Sequence, residues 1–328
     1  MSESILEFIK KPFKKFVCGR KAQEAKKTLT QAFTASSKKD AVNEGVLFGE
    51  IVDAVMKTEK GRETMTTLSK LGYSFAFETG NFGGLCDAVN KKIVINPRVS
   101  FETMLQTAVH EGTHAIQNSL ESKNVPAASL LQTASYLRYC RAIEADACAH
   151  EAAFAYECKD VLPEVYQSAK KHNLPMFAAF ESEMEKSGDE KKAMQASFAA
   201  WYECDSYCKY YDEWHKNDIK RFCDWGGKEK YSGLFSQEYP VKDVLKICCY
   251  NGKAYMTEQF LNTGKAFSVS VDGKKEISAM LRNYAAAVGD KPDTSILTMR
   301  ERTADGTLLP EKKAVNAAVA AKAKREGR

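Results

Sequence analysis

Between Ser100 and Leu120 the chain carries a helix-length segment with two unlike faces, and no other segment constrains the fold as tightly. At about 100° per residue, with His110 at zero, Met104, Leu105, Ala108, Val109, Ala115, Ile116 and Leu120 fall between about 120° and 280°. Thr107, His110, Glu111 and His114 fall between about 0° and 100°. A helix built this way buries one side in a core and presents the other to a cavity. His110 and His114 lie about 40° apart on the presented side and can reach one metal ion. Glu111 sits beside them, able to hold a water on that metal. Two imidazoles and a flanking carboxylate in the spacing H-E-x-x-H are what metal-assisted hydrolysis requires. Ser100 is a suitable N-cap, and Asn96-Pro97 stops whatever precedes it.

A zinc ion held by two histidines needs a third protein ligand and an open position. Candidates lie on the next helix, an alanine-rich stretch expected over about Ala127–Lys159. There Glu144 shares a face with Leu137, Cys140, Ala147, Cys148, Ala155 and Cys158, a mostly small, apolar surface suited to close packing. A carboxylate among such neighbours demands a partner, and a metal would be one. Asp146, His150 and Glu157 cluster on the opposite side, which reads as the solvent face. Glu144 is therefore the preferred third ligand, with His150 and Asp146 as alternatives. Glu151 shares the Glu144 face and either bonds a ligating histidine or pairs with Arg141.

Around these two helices the organisation is coarse. Residues 1–39 read as a basic, loosely attached arm. Ala41–Leu71 is helical in pattern, Tyr73–Phe77 alternates, and Leu85–Val89 with Ile93–Ile95 flank Asn90-Lys91-Lys92 as a hairpin. More helix is expected at Pro163–Lys186 and Glu190–Lys216. Beyond Gly226 the pattern breaks into short mixed segments up to Pro310. The division is thus an arm (1–39), a domain carrying the metal helices (40–225), an α+β extension (226–310) and a basic tail (311–328). The fold class is α+β, mostly helical, with a small antiparallel sheet packed on the His110 helix.

At 328 residues and 44% hydrophobic, the chain can bury a sizeable core, which excludes wholesale disorder. The formal charge of +5 is unevenly spread: +7 over residues 1–39, +4 over 311–328, and −6 between them. An acidic body without a basic, aromatic stripe argues against nucleic-acid binding. The basic N-terminal arm leaves a weak membrane contact open. Ten cysteines with no CxxC pair read as reduced thiols. No apolar run reaches the roughly 18 residues of a spanning helix, and the first 20 residues lack an export-signal pattern, so a cytoplasmic protein is expected. The basic C-terminus, KREGR, is also compatible with delivery to another cell as an effector.

His110, Glu111 and His114, with uncharged Thr107, Ala108, Gly112, Thr113 and Ala115 around them and Ile116 after, resemble the extended signature of zincin metallopeptidases. The downstream helical glutamate makes the chain similar to the gluzincin branch. More narrowly, IVIN, HEGTHAIQ, the R-A-x-E-A-D-A run at Arg141–Ala147 and the aromatic segment Phe198–Trp214 resemble a little-characterised bacterial family of metallopeptidases. The resemblance implies a zincin-like fold, with Ile93–Ile95 near the edge of the sheet and an extended peptide or protein substrate alongside it. It implies Zn2+ held by His110, His114 and Glu144, with Glu111 as the general base of peptide-bond hydrolysis. A non-catalytic zincin-fold binding module is the rival class. The chain departs from better-known gluzincins in its 30-residue interval from His114 to Glu144. It also lacks a motif marking the residue that steadies the oxyanion; His172, Tyr202, Tyr207, Tyr210, Tyr211 and His215 are the candidates.

Overall fold

A computed structural model describes residues 19–36, 41–121, 126–172 and 175–310. Residues 1–18 and 37–39 of the expected arm and the whole basic tail (311–328) lie outside these described residues. In chain order the elements are α1 (Arg20–Gln31), α2 (Ala41–Val55), α3 (Glu59–Leu71), β1 (Ser74–Phe77), β2 (Gly84–Asp87), β3 (Lys92–Ile95), α4 (Phe101–Leu120), α5 (Thr133–Glu157), α6 (Pro163–His172), α7 (Pro175–Ser187), α8 (Glu190–Glu203), α9 (Asp205–Glu229), α10 (Val241–Ile247), β4 (Cys249–Tyr250), β5 (Lys253–Ala254), α11 (Glu258–Leu261), β6 (Ser268–Ser270), α12 (Val271–Val288) and β7 (Arg300–Arg302). The protein is mostly helical, with three small sheets among the described residues. Among the described residues no helix is long and apolar enough to cross a membrane.

The first sheet differs from the antiparallel one expected. It is mixed, in the order β1-β3-β2, with β1 parallel and β2 antiparallel to β3. Ile93–Ile95 therefore lies at the centre of the sheet, not near its edge. The reason is burial: Ile93, Val94 and Ile95 are at most 2% exposed, and a strand apolar on both faces needs a neighbour on each side. Strand β2, with half-exposed Leu85, takes the edge. The β2–β3 turn is fixed by Asp87, whose carboxylate accepts from the Asn90 backbone (2.9 Å) and side chain (2.7 Å). Part of the expected loose arm is also integral: α1 buries Ala22, Ala25 and Leu29, and Thr34 hydrogen-bonds to Phe75 in β1.

Helix α4 begins as its sequence requires, with the Ser100 hydroxyl accepting from the Thr103 amide. Met104, Leu105, Ala108, Val109 and Ala115 are buried on its core face, while Leu120 at the frayed end is exposed. Helix α5 is the central strut, and it corrects another expectation. Nineteen of its 25 residues are buried, so it has no solvent face. Asp146 (1% exposed) and His150 (6%) are interior groups, because helices pack on one side of α5 and residues 226–310 cover the other. Its alanines allow that close approach from all directions.

The 226–310 region shares one core with the rest of the chain. Gln132 offers α5 no side-chain cap; the amides of Thr133 and Ala134 are instead bonded by the Asp293 carboxylate (2.7 Å) and the Ser295 hydroxyl (3.0 Å). Arg138 donates to Asn262 and to the Tyr239 carbonyl. Arg141, 1% exposed, donates to the Ser268 carbonyl and to Asp212 on α9, which also receives Arg302. Two buried guanidinium groups thus share one carboxylate. Asp212→Ala would leave both uncompensated and should destabilise the protein by about 3–5 kcal/mol. Denaturant unfolding should show this as a lower midpoint at unchanged slope; a loss below about 1 kcal/mol would mean that the cluster contributes little to the fold.

Candidate metal centre

The adjacent turns of α4 set His110 and His114 side by side, their rings 4.9 Å apart. Glu144, reaching across from α5, faces both: its Oε2 lies 3.7 Å from His110 Nε2 and its Oε1 lies 3.6 Å from His114 Nε2. These three form one group whose ligand atoms lie within 4.8 Å of one another. Of the three candidate third ligands, only Glu144 is brought to the histidine pair in this way. Asp146 and His150 point elsewhere, and His150 donates its Nε2–H to the Cys249 carbonyl at 3.1 Å.

The other nitrogens are already spoken for. His110 Nδ1 lies 3.0 Å from the Glu151 carboxylate, which can only accept. This places Glu151 on the histidine and not on Arg141, which pairs with Asp212. His114 Nδ1 lies 2.8 Å from the Gln117 amide oxygen. That amide's orientation follows from its surroundings, since its nitrogen faces two acceptors: the Ile143 carbonyl at 2.9 Å and Asp146 Oδ2 at 2.8 Å. When either ring is neutral, its Nδ1 is therefore the donor, and its Nε2 lone pair points at the Glu144 carboxylate.

Three acceptors facing one another in a half-buried place call for a positive charge between them. The electrostatics agree. Burial would raise the Glu144 carboxyl, but His114 and His110 hold it well below the usual carboxylate range. Burial would likewise lower both imidazoles, yet Cys148, Glu144 and Glu151 push His110 well above its ordinary value, and Glu144 raises His114. The donor set fits a divalent cation of the zinc type, with nitrogen and carboxylate ligands and both imidazoles held by outer acceptors. A second group of potential ligands, His110, Cys148 and Glu151, surrounds Nδ1. It is less suited, because Nδ1 already bonds Glu151 and burial pushes the Cys148 thiol up to about 11, which keeps it protonated.

The group floors a cleft of about 590 Å³. Strand β2 and its preceding loop form one wall, and α9 forms the other, with Tyr207, Tyr210, Tyr211, Trp214 and His215. The loop is pinned by Asn96, whose side chain donates to the Gly80 and Phe82 carbonyls at 3.0 and 2.8 Å. Gly84 has no room for a side chain: a Cβ there would stand 2.4 Å from Thr107 and 2.9 Å from Glu111. The edge strand thus lies directly over Glu111, whose carboxyl burial pushes up and the two histidines pull back. Of the oxyanion candidates, His172 and Tyr202 do not line this cleft and the other four do. Tyr211 bonds Glu144 Oε2 through its hydroxyl at 2.8 Å.

Gln117 was missed by sequence reasoning, although it stands one turn after His114. Its burial (2% exposed) and its contact with Asp146, 29 residues on, are what give it a part.

Residues 22–221 match the model of a family described as "Putative metallopeptidase family". No curated protein and no solved structure matches the chain.

Proposed function

The chain belongs to this metallopeptidase family, and on that premise we propose that it is a zinc-dependent, zincin-like endopeptidase whose ligands are His110, His114 and Glu144. The observation that carries the reading is the pair of imidazole Nε2 atoms facing one carboxylate at 3.6–3.7 Å, beside Glu111, on the floor of an open cleft. A bound zinc ion would supply Lewis acidity, lowering the pKa of water and polarising a carbonyl. Glu111 accepts the proton of the attacking water on its carboxylate and returns it to the leaving amine. Tyr211, whose hydroxyl donates to Glu144 Oε2, exchanges that hydrogen bond for one to the developing oxyanion.

The substrate is an extended peptide added along the edge of β2 that no other strand pairs among the described residues. Four exposed apolar side chains support this: Phe82 and Leu85 on the strand side and Tyr210 and Trp214 on α9. They suit large apolar residues flanking the scissile bond. The test is incubation of the zinc-loaded protein with a mixture of denatured proteins, with mass spectrometry of new termini. Cleavage should vanish with a chelator and return with zinc. No new termini from the zinc-loaded protein across a broad mixture would overturn the reading.

A further inference from the structure

Asp146 is 1% exposed, and each of its oxygens is taken by a neutral donor. The Tyr255 hydroxyl, itself buried, donates to Oδ1 at 2.7 Å, and the Gln117 amide donates to Oδ2 at 2.8 Å. Gln117 in turn offers its carbonyl oxygen to His114 Nδ1 at 2.8 Å. The chain of contacts thus runs from residue 255, beyond the segment matched by the family model, to one imidazole of the metal centre.

The direction of the bonds in this chain is set by two acceptors, Asp146 and the Ile143 carbonyl, which lies 2.9 Å from the Gln117 nitrogen. A carboxylate can only accept, so it fixes the Gln117 nitrogen toward itself and the carbonyl toward His114. In the neutral ring the carbonyl then requires a hydrogen on Nδ1, which leaves Nε2 bare. If the amide turned over, its N–H would face Nδ1, the ring hydrogen would move to Nε2, and that atom could not ligate. Among the described residues no guanidinium or ammonium lies at hydrogen-bond distance of Asp146, and the His150 imidazole stands 3.6 Å from Oδ1; such a buried carboxylate is costly to retain. Its two aligned donors are a reason for its presence.

We propose that Asp146 and Tyr255 are positioning residues for His114, locking Gln117 in the one orientation that presents the imidazole Nε2 to a metal. The proposal rests on His114 being a ligand, and it assigns to residues 226–310 a direct part in the metal centre.

The test compares the parent with Asp146→Asn and Tyr255→Phe, both nearly isosteric. An asparagine can donate where Asp146 only accepts, so the Gln117 amide keeps one obligate acceptor, the Ile143 carbonyl, and turns more readily. The Kd for Zn2+, measured by competition with a chromogenic chelator, should rise about 10–100-fold for Asp146→Asn and about tenfold for Tyr255→Phe, with the circular dichroism of the metal-free proteins unchanged. A folded Asp146→Asn protein with the parent's Kd overturns the proposal. A second measurement does not depend on any variant folding: 15N chemical shifts of the His114 ring in the metal-free parent at alkaline pH, where the ring is neutral. Hydrogen on Nδ1 is expected, and a mixture of tautomers in Asp146→Asn; hydrogen on Nε2 in the parent overturns the proposal. A merely structural role for Asp146 would not move the tautomer. If the parent binds no zinc, the ligand reading fails, and the ring shifts still decide whether the relay exists.

Discussion

Glu111→Gln protein is expected to bind zinc as tightly as the parent and to lose peptide cleavage by about 10²–10⁴-fold in kcat/KM. The substitution keeps the shape of a side chain packed beneath Gly84, where there is no slack for a larger group. It removes only the ability to take a proton. Glu111 is not among the three grouped ligand residues, so metal content should stay at about one zinc per chain under the proposed mechanism. Elemental analysis and peptide kinetics on the same preparation separate the two effects. Cleavage at the parent's rate would remove Glu111 from the chemistry. Loss of zinc along with activity would mean that it helps to hold the metal.

Glu144→Ala should have the opposite signature, with the metal itself lost. Among the described residues the carboxylate is the one group that faces both imidazole Nε2 atoms, at 3.7 and 3.6 Å, and it is the only anionic one of the three. Without it the two imidazoles, otherwise pushed up by its charge, would have no counter-charge between them. Zinc after exhaustive dialysis should fall well below one per chain, a larger effect than the roughly 10–100-fold loss expected when an outer hydrogen bond is removed. Peptidase activity should fall with it. One tightly held zinc in the variant would force a different third ligand.

How much of this was legible beforehand depends on how local each feature is. The faces of α4 follow from the helical repeat alone, so the juxtaposition of His110, Glu111 and His114 could be read from twenty consecutive residues. Glu144 was legible because the residues on its side of α5 are small and apolar. The same wheel misled for Asp146 and His150, since it assumes that the side opposite a packed face meets water. Helix α5 is covered all round, and the cover comes from residues more than 90 positions away: Cys249 on His150 and Tyr255 on Asp146. The sheet order was hidden for a related reason. An apolar IVI triplet reads equally as an edge packed on a helix or as a central strand, and only its pairing with β1 decides. Gln117 carried no signal of its own, because an amide gains its role from what it touches.

The capping of α5 by Asp293 and Ser295 also bears on the order of events during synthesis. Glu144 leaves the ribosome 149 residues ahead of Asp293. At roughly 5–20 residues per second, that is a delay of about 7–30 s. Throughout it, the first amides of the helix that carries Glu144 lack the partners that later satisfy them. A nascent chain therefore holds His110, His114 and Glu144, the proposed ligands, well before the caps of the Glu144 helix are made. Under the proposed function, the nearest extended peptide in that interval is the growing polypeptide itself, at a centre whose supporting helix is not yet capped.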